Sequence, residues 1–346
     1  MTFLENEPLS RHTTLRTGGP ARFFCRVESL EDLYEALEKA RVLQWRFFVL
    51  GGGSNVLASD AGFPGLIVRV ALKGMSFEPA GKGEWLVEAA AGEEWDGLVA
   101  SAVGRGLRGL ENLSGIPGTV GGAVAGNIGA YGVEVRETLK WVEVLDAQTG
   151  GLRRLDGMEC GFGYRSSRFK SPEGRREVIT RACFLLGEER PLNVSYGELH
   201  RWFEQRGEPA STVEQVRVAV IEVRRAKLPD TMEVGTAGSF FKNPVIPRTH
   251  YEQLLKRYPE LPGYAEPNGY VKIPLGWVLD RICGLKGVRR GRVGTHDQQA
   301  LVVVNRGGSA GEIEALAAAM AQEVFDRTGI HVAWEVERLG GRPDAD

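Results

Sequence analysis

Between Gly109 and Val135 the chain reads GLENLSGIPGTVGGAVAGNIGAYGVEV, with glycine at 109, 115, 118, 121, 122, 126, 129 and 132 and apolar residues interleaved among them. Flexible linkers dilute glycine with serine, proline and charge. Here Leu113, Ile116, Val120, Val124 and Ile128 are placed to anchor the segment in a core. Glycine at this density permits left-handed backbone and lets N–H groups approach an anion with no Cβ in the way. The segment therefore reads as a wall that cradles phosphate.

A second glycine loop points the same way. Arg46 to Leu50 (RFFVL) is a short apolar run typical of a buried strand, and it leads directly into Gly51, Gly52, Gly53, Ser54 and Asn55. A strand that breaks into a glycine turn presents backbone donors to phosphate. Two such loops fit a ligand with two phosphates, and a dinucleotide is the natural candidate. Neither has the G-x-G-x-x-G spacing of a Rossmann turn, and no G-x-x-x-x-G-K-[ST] occurs, which disfavours a P-loop nucleotidase. For GGGSN alone a mere tight turn between strands stays open as the lesser reading, and the two segments together weaken it further.

With 346 residues, 42% of them hydrophobic, the chain is long enough for two or three domains with real cores. A net charge of −2 gives no global attraction to nucleic acid or an anionic membrane, so anion binding must be local. The opening MTFLENEPLSRH lacks the apolar core of a signal peptide, and no apolar run is long enough to span a bilayer. A cytoplasmic location is expected. Cys25, Cys160, Cys183 and Cys283 are widely separated, and the five histidines show neither H-x-H nor H-E-x-x-H spacing. No metal site or disulfide is expected, and the cysteines read as free buried thiols.

Periodicity and caps place the elements of an α+β protein. Ser29 caps a helix carrying Leu30, Leu33 and Leu37 at helical spacing. Strands are predicted at 66–70, 85–89, 140–145 and 178–185, and a helix through Trp95, Leu98, Val99, Ala102 and Val103. Ser211 and Glu214 read as a capping box for a helix ending near Lys227-Leu228-Pro229. A domain boundary is predicted near residues 225–230. Ser309 and Glu312 start another capped helix closed by Gly329, and the last strand is predicted over Ile330 to Val336.

Three further stretches can carry chemistry. Gly235 to Pro244 (GTAGSFFKNP) puts the Ser239 hydroxyl between a flexible Gly238 and two aromatics, as suits a positioned donor. It is not the G-x-S-x-G elbow, and taken alone a serine in such a turn is more often structural. Gly161 to Lys170 (GFGYRSSRFK) gathers Tyr164, Arg165, Arg168 and Lys170, a set suited either to binding a carboxylate or phosphate or to a solvated basic loop. Glu335 sits between Trp334 and Val336, a carboxylate inside an apolar run.

Taken in order, LGGGSNVLASD, IPGTVGGAVAGNIGAYGVEV, YRSSRF, KLPD, GTAGSFFKNP, KIPLGWVLD, THDQQALVVVN and WEVERLG closely resemble the UDP-N-acetylenolpyruvoylglucosamine reductase family, flavoenzymes of peptidoglycan precursor synthesis. The resemblance spans almost the whole chain. It implies a vanillyl-alcohol-oxidase-like, two-part FAD-binding domain, residues 1–75 and 76–225, and a C-terminal α+β substrate domain, residues 226–326. The strand within 327–346 is expected to pack back on the first part. It further implies non-covalent FAD, NADPH as hydride donor, UDP-N-acetylglucosamine enolpyruvate as substrate, no nucleic-acid or membrane partner, and a monomer.

Position by position, the resemblance implies cofactor contacts from Gly52, Gly53, Ser54, Asn55, Ile116, Pro117, Gly118, Gly121, Gly122, Ile128 and Arg224. VSYGEL at 194–199 matches the loop-bearing form of the family and makes Tyr196 a substrate contact, with Tyr164, Lys227, Asn243, Lys272 and Gln298. Arg165, Ser239 and Glu335 are the implied catalytic residues. Hydride passes from flavin N5 to the enolpyruvyl double bond, Ser239 supplies the proton, and Arg165 and Glu335 stabilise the enolate-like charge. Glu335 is expected to act protonated, with a raised pKa, or bonded through Arg165 or water, since an ionised carboxylate beside the substrate's own would repel it. One departure is visible, Thr13 standing where the family usually carries Asn. Two alternatives stay open: an oxidase of the same flavin fold acting on another alcohol or sugar, and a non-catalytic FAD- or UDP-sugar-binding sensor.

Overall fold

Sheets carry the fold, and the computed structural model, which describes residues 1–341, distributes them over two units of the chain. The first unit comprises Met1–Glu7, Ala21–Gly53 and Pro64–Arg225. Its first sheet has the order β1 (Phe3–Pro8), β2 (Pro20–Val27), β5 (Phe63–Val70), β3 (Phe47–Leu50), with β3 parallel to β5. Leu66, Ile67 and Val68 are all buried, the continuous apolar run expected of a strand covered on both faces. Helix α1 (Leu30–Val42) starts where Ser29 predicts, the Ser29 hydroxyl accepting from Asp32 N–H at 3.0 Å.

A second, antiparallel sheet has the order β11 (Leu152–Asp156), β10 (Leu139–Asp146), β12 (Glu177–Gly187), β7 (Glu84–Ala90), β6 (Met75–Gly81). The strands read from alternation are all present and extend slightly beyond the predicted ends. Helix α2 (Trp95–Val103) lays Trp95, Leu98, Val99 and Ala102 into the core, with the Trp95 indole donating to Leu113 O at 3.0 Å and standing edge-on to Phe184. Helix α3 (Val120–Ala125) and the small hairpin β8 (Gly129–Ala130) and β9 (Val133–Glu134) follow. Helices α4 (Gly197–Arg206) and α5 (Val213–Lys227) close the unit by packing Leu199 and Phe203 with Val216, Ala219 and Val220.

The α5 cap lies one residue beyond the predicted one. Gln215, not Glu214, reaches back: its Oε1 accepts from Ser211 N–H and Thr212 N–H, while Thr212 Oγ1 accepts from Gln215 N–H. The box requires three residues from cap to partner, and with Val213 as the first helical residue that spacing selects Thr212 and Gln215.

The second unit comprises Pro8–Pro20, Ser54–Phe63 and the chain from Ala226 on. It holds a sheet of order β13 (Gly235–Ser239), β19 (Gln299–Asn305), β18 (Val293–His296), β17 (Arg289–Arg290), and a three-stranded sheet of order β14 (Val245–Pro247), β16 (Tyr270–Lys272), β15 (Tyr264–Glu266). Strand β4 (Val56–Ala58) pairs in parallel with β20 (Glu337–Leu339). Helix α6 (Arg248–Arg257), the single turn α7 (Leu275–Trp277) and helix α8 (Ala310–Thr328) complete it.

Helix α8 has the predicted capping box between Ser309 and Glu312, buries Ile313, Leu316, Met320 and Val324, and ends at Gly329 with φ 69°. Its first two N–H groups, of Ala310 and Gly311, both donate to the Asp60 carboxylate at 2.9 Å, so the usual orphan donors of a helix start are satisfied and a negative charge faces the positive end of the dipole.

The predicted strand over 330–336 is displaced. The ladder forms instead over Glu337–Leu339, and 330–336 meets the Phe240–Lys242 segment through one isolated bridge, Phe241 with Trp334. Ile330 and Val336 are buried in the core; their apolar character reflects packing rather than sheet pairing. Cys25, Cys160 and Cys183 are buried free thiols, and Cys283 is half-buried. Burial pushes the first three up to about 12 and Cys283 to about 11. Among the described residues no helix is long and apolar enough to cross a membrane.

Replacing Asp60 with Ala removes two charge-assisted bonds from the α8 start, and is expected to lower stability by about 1–2 kcal/mol. A thermal midpoint of the Asp60→Ala protein equal to that of the parent would contradict this account.

Candidate active site

The two glycine segments meet backbone to backbone. A Cβ on Gly52 would lie 2.7 Å from Gly118 Cα, and one on Gly51 2.6 Å from Thr119 Oγ1. Gly53 and Gly118 adopt φ 65° and 122°, which L side chains rarely tolerate. Ile116 and Ile128 are half-buried anchors on the core of this unit. The wall is held from behind by the 91–95 turn: Val120 N–H donates to Glu93 O, Gly121 N–H to Ala91 O, and Trp95 N–H to Gly118 O. The Gly121 N–H is thereby engaged within the protein, and a Cβ there would meet Ala91 Cβ at 3.0 Å. Gly121 shapes the wall by having no side chain.

Arg165 lies in the same unit, at the second position of a two-residue turn. Gly163 and Ser166 exchange both backbone hydrogen bonds, at 3.0 and 3.1 Å, and Arg165 takes φ 52°. Its guanidinium stands 5.9 Å from the Tyr164 ring centroid and close over Gly129, where a Cβ would lie 3.2 Å from Nη1. Ser167 Oγ donates to Ala125 O at 2.7 Å. Arg168 differs from the ligand-binding reading open to it in the sequence. Its Nε and Nη2 donate to the buried Glu177 carboxylate at 2.9 and 3.0 Å and its Nη1 to Glu159 O, while Arg153 reaches the same carboxylate. Arg168 therefore clamps the loop to the sheet.

Arg224 donates from Nε to Gly115 O at 3.2 Å and also bonds the Tyr131 hydroxyl. Burial pulls its pKa down, and the nearby Arg165 charge adds to this. Gly115 N–H donates to Asp96 Oδ1, and Arg217 holds the Asp96 carboxylate with two bonds of 2.7 and 2.8 Å. Burial pushes the Asp96 carboxyl up, but Arg217 and Gly115 N–H outweigh it and hold the pKa below the ordinary carboxylate range. Burial pushes Tyr131 up to about 12 despite Arg224. The Tyr131 ring stands edge-on to Tyr196, centroids 5.5 Å apart, and Tyr196 precedes the first residue of α4 with its own side chain exposed.

In the second unit, Ser239 and Glu335 lie on adjoining segments. Strand β13 bulges between Thr236 and Ser239. Thr236 Oγ1 donates to Val303 O at 2.9 Å and accepts from Gly238 N–H at 3.1 Å, with Gly238 at φ 72°. Phe240, the residue after Ser239, accepts from Glu335 N–H at 2.9 Å, and Asn55 Nδ2 donates to Glu335 O at 3.0 Å. Ser54 leads into this Asn55 contact. Phe240 and Phe241 are fully buried, and Trp334 packs edge-on to Phe240. Asn243 Oδ1 accepts from Leu275 N–H, which orients its amide, and Lys272, paired in register with Val245, reaches Glu266 at 3.1 Å. Gln298 is exposed in the turn joining β18 to β19, and Lys227 is the last residue of α5. Thr13 is buried in a local turn, its hydroxyl donating to Thr17 O.

Tyr131 and Thr236 lie inside the quoted motifs but were not singled out. The sequence signal for each is weak: Tyr131 is a bulky residue inside a glycine run, where it takes φ 49°, and Thr236 stands two residues before Gly238.

Residues 21–156 match the FAD binding domain family, and residues 230–339 match the family described as UDP-N-acetylenolpyruvoylglucosamine reductase, C-terminal domain. The UDP-N-acetylenolpyruvoylglucosamine reductase of Paraburkholderia phytofirmans is 42% identical over 336 residues, covering 96% of both chains. That of Pseudomonas aeruginosa is 41% identical, covering 95% of this chain and 96% of its own. The chain belongs to the UDP-N-acetylenolpyruvoylglucosamine reductase family. The crystal structure of the Thermus caldophilus family member superposes with a TM-score of 0.68 at 28% identity, covering 97% of this chain and 98% of that one.

Membership makes this chain an FAD-dependent oxidoreductase with an FAD-binding part followed by a C-terminal α+β part, the class expected from its sequence. The glycine wall fits that cofactor: Gly51 and Gly52 let the two segments close on each other where any Cβ would meet Thr119 or Gly118, and Gly53 and Gly118 take the left-handed backbone that turns N–H groups toward an anion. In Gly52→Ala the added methyl must push the 118 segment away, and the purified protein is expected to retain less FAD per chain. Full flavin content in Gly52→Ala would show that the contact does not shape the cofactor wall.

Proposed function

We propose that this family member reduces UDP-N-acetylglucosamine enolpyruvate to UDP-N-acetylmuramate in peptidoglycan precursor synthesis, with NADPH as hydride donor, acting in the cytoplasm as a monomer. The observation that supports the reading is the hydrogen bond from Glu335 N–H to Phe240 O, which runs the Glu335 segment beside the residue that follows Ser239. When bound, FAD supplies the hydride acceptor and donor for this chemistry. Its contacts are assigned to Gly52, Gly53, Ser54, Asn55, Ile116, Pro117, Gly118, Gly121, Gly122, Ile128 and Arg224, on domains of residues 1–75 and 76–225, with the substrate domain at 226–326.

Arg165 is a permanent cation for the substrate carboxylate. Its value is greatest once negative charge spreads onto that carboxylate, which is the differential interaction catalysis requires. Ser239 gives a proton to the α-carbon; a hydroxyl is a weak acid, but a carbanionic carbon is a strong base, and transfer is downhill. Glu335 orients the enolic carboxylate. Lys227, Lys272, Asn243 and Gln298 supply donors for diphosphate and sugar oxygens, and Tyr164 and Tyr196 supply hydroxyls and ring faces.

In the Ser239→Ala enzyme, anaerobic NADPH is expected to bleach the flavin as in the parent, while its return on adding the enolpyruvyl sugar nucleotide slows by about 10²- to 10⁴-fold. Equal slowing of both half-reactions would remove Ser239 from the proton-donor role.

A further inference from the structure

Helix α3 ends in a paired closure: Ile128 N–H donates to Ala123 O and Asn127 N–H to Val124 O, both at 3.0 Å, with Asn127 at φ 41°. This is the position after a helix that glycine fills by default, because an L side chain crowds the following carbonyl there. Glycine stands on both sides, at 126 and 129, yet 127 keeps a side chain. Asn127 is fully buried. Its amide is fully engaged: Nδ2 donates to Gly163 O at 2.9 Å and to Glu134 Oε2 at 3.0 Å, and Oδ1 accepts from Arg136 N–H at 3.2 Å.

The two bonds donated by the amide lead to Arg165. Gly163 opens the two-residue turn that carries Tyr164 and Arg165. Glu134 and Arg165 flank Gly129, where a Cβ would lie 2.9 Å from Glu134 Cγ and 3.2 Å from Arg165 Nη1. The far flank of the turn is tied to the same helix end through Ser167 Oγ and Ala125 O. We infer that Asn127 is a positioning residue for Arg165, fixing the guanidinium relative to the helix that also carries Gly121 and Gly122 of the glycine wall. The inference rests on the assignment of Arg165 to the substrate carboxylate. Displacement of a positioned group by about 1 Å costs on the order of 10²-fold in rate.

Asn127→Gly deletes the amide while relieving the left-handed backbone, so the helix closure survives. The Asn127→Gly holoenzyme is expected to keep its flavin and its rate of bleaching by NADPH, but to be reoxidised by the enolpyruvyl sugar nucleotide about 10- to 100-fold more slowly. In an Arg165→Met background the same change is expected to cost nothing further, since coupled residues are non-additive. Asn127→Asp, which keeps the shape and loses the donor to Gly163 O, is expected to reproduce the split. Flavin loss or equal slowing of both half-reactions in both variants, or full multiplication with Arg165→Met, overturns the positioning role while leaving Arg165 in place. An Arg165→Met enzyme reoxidised at the parent rate overturns the assignment of Arg165, and this inference with it.

Discussion

Everything assigned to the cofactor wall depends on one missing methyl group, the Cβ that Gly52 lacks at 2.7 Å from Gly118 Cα. Backbone contact of this kind admits no substitute, because any side chain at Gly52 would hold the segments apart and Gly118 takes a φ of 122° that L side chains rarely adopt. The contact also explains the bonds behind it. Once Gly118 is drawn against Gly52, the 91–95 turn must satisfy Val120 and Gly121 N–H, and it does so through Glu93 O and Ala91 O. Trp95, fully buried beneath the same turn, fixes it to the core through Leu113 O.

The side chains assigned to chemistry sit on short irregular segments rather than on long helices or strands. Ser239 follows a bulge held by one threonine hydroxyl, and Arg165 occupies a turn in left-handed backbone. Such conformations cost on the order of 1–3 kcal/mol each and persist only where the surroundings over-determine them. Here the surroundings do: Arg168 holds the turn's outgoing chain to Glu177, Ser167 holds it to α3, and Asn55 and Phe240 hold the Glu335 backbone from both sides.

Legibility in the sequence followed the range of the forces involved. Ser29, Ser309 and Gly329 announce helix ends because a cap is decided within four residues, and the strands of the large sheet follow from local alternation. The glycine loops were readable because glycine density has few other causes. Longer-range partners misled: the apolar run at 330–336 looks like a strand but meets the Phe240–Lys242 segment through a single bridge, and Arg168 looks like an anion receptor until Glu177, nine residues on, is seen to engage it. The α5 cap moved because neighbouring hydroxyls at 211 and 212 are equivalent until the first helical residue is known. Residue roles came from family resemblance, since no spacing rule names a sugar nucleotide.

The central claim is that the glycine cradle holds a flavin that passes hydride from NADPH to an enolpyruvyl sugar nucleotide. Anaerobic absorption spectroscopy of the purified parent protein tests it most directly. The account predicts a flavin band that bleaches with NADPH and returns on adding UDP-N-acetylglucosamine enolpyruvate. A protein without flavin, or a bleached band restored only by oxygen, would contradict it.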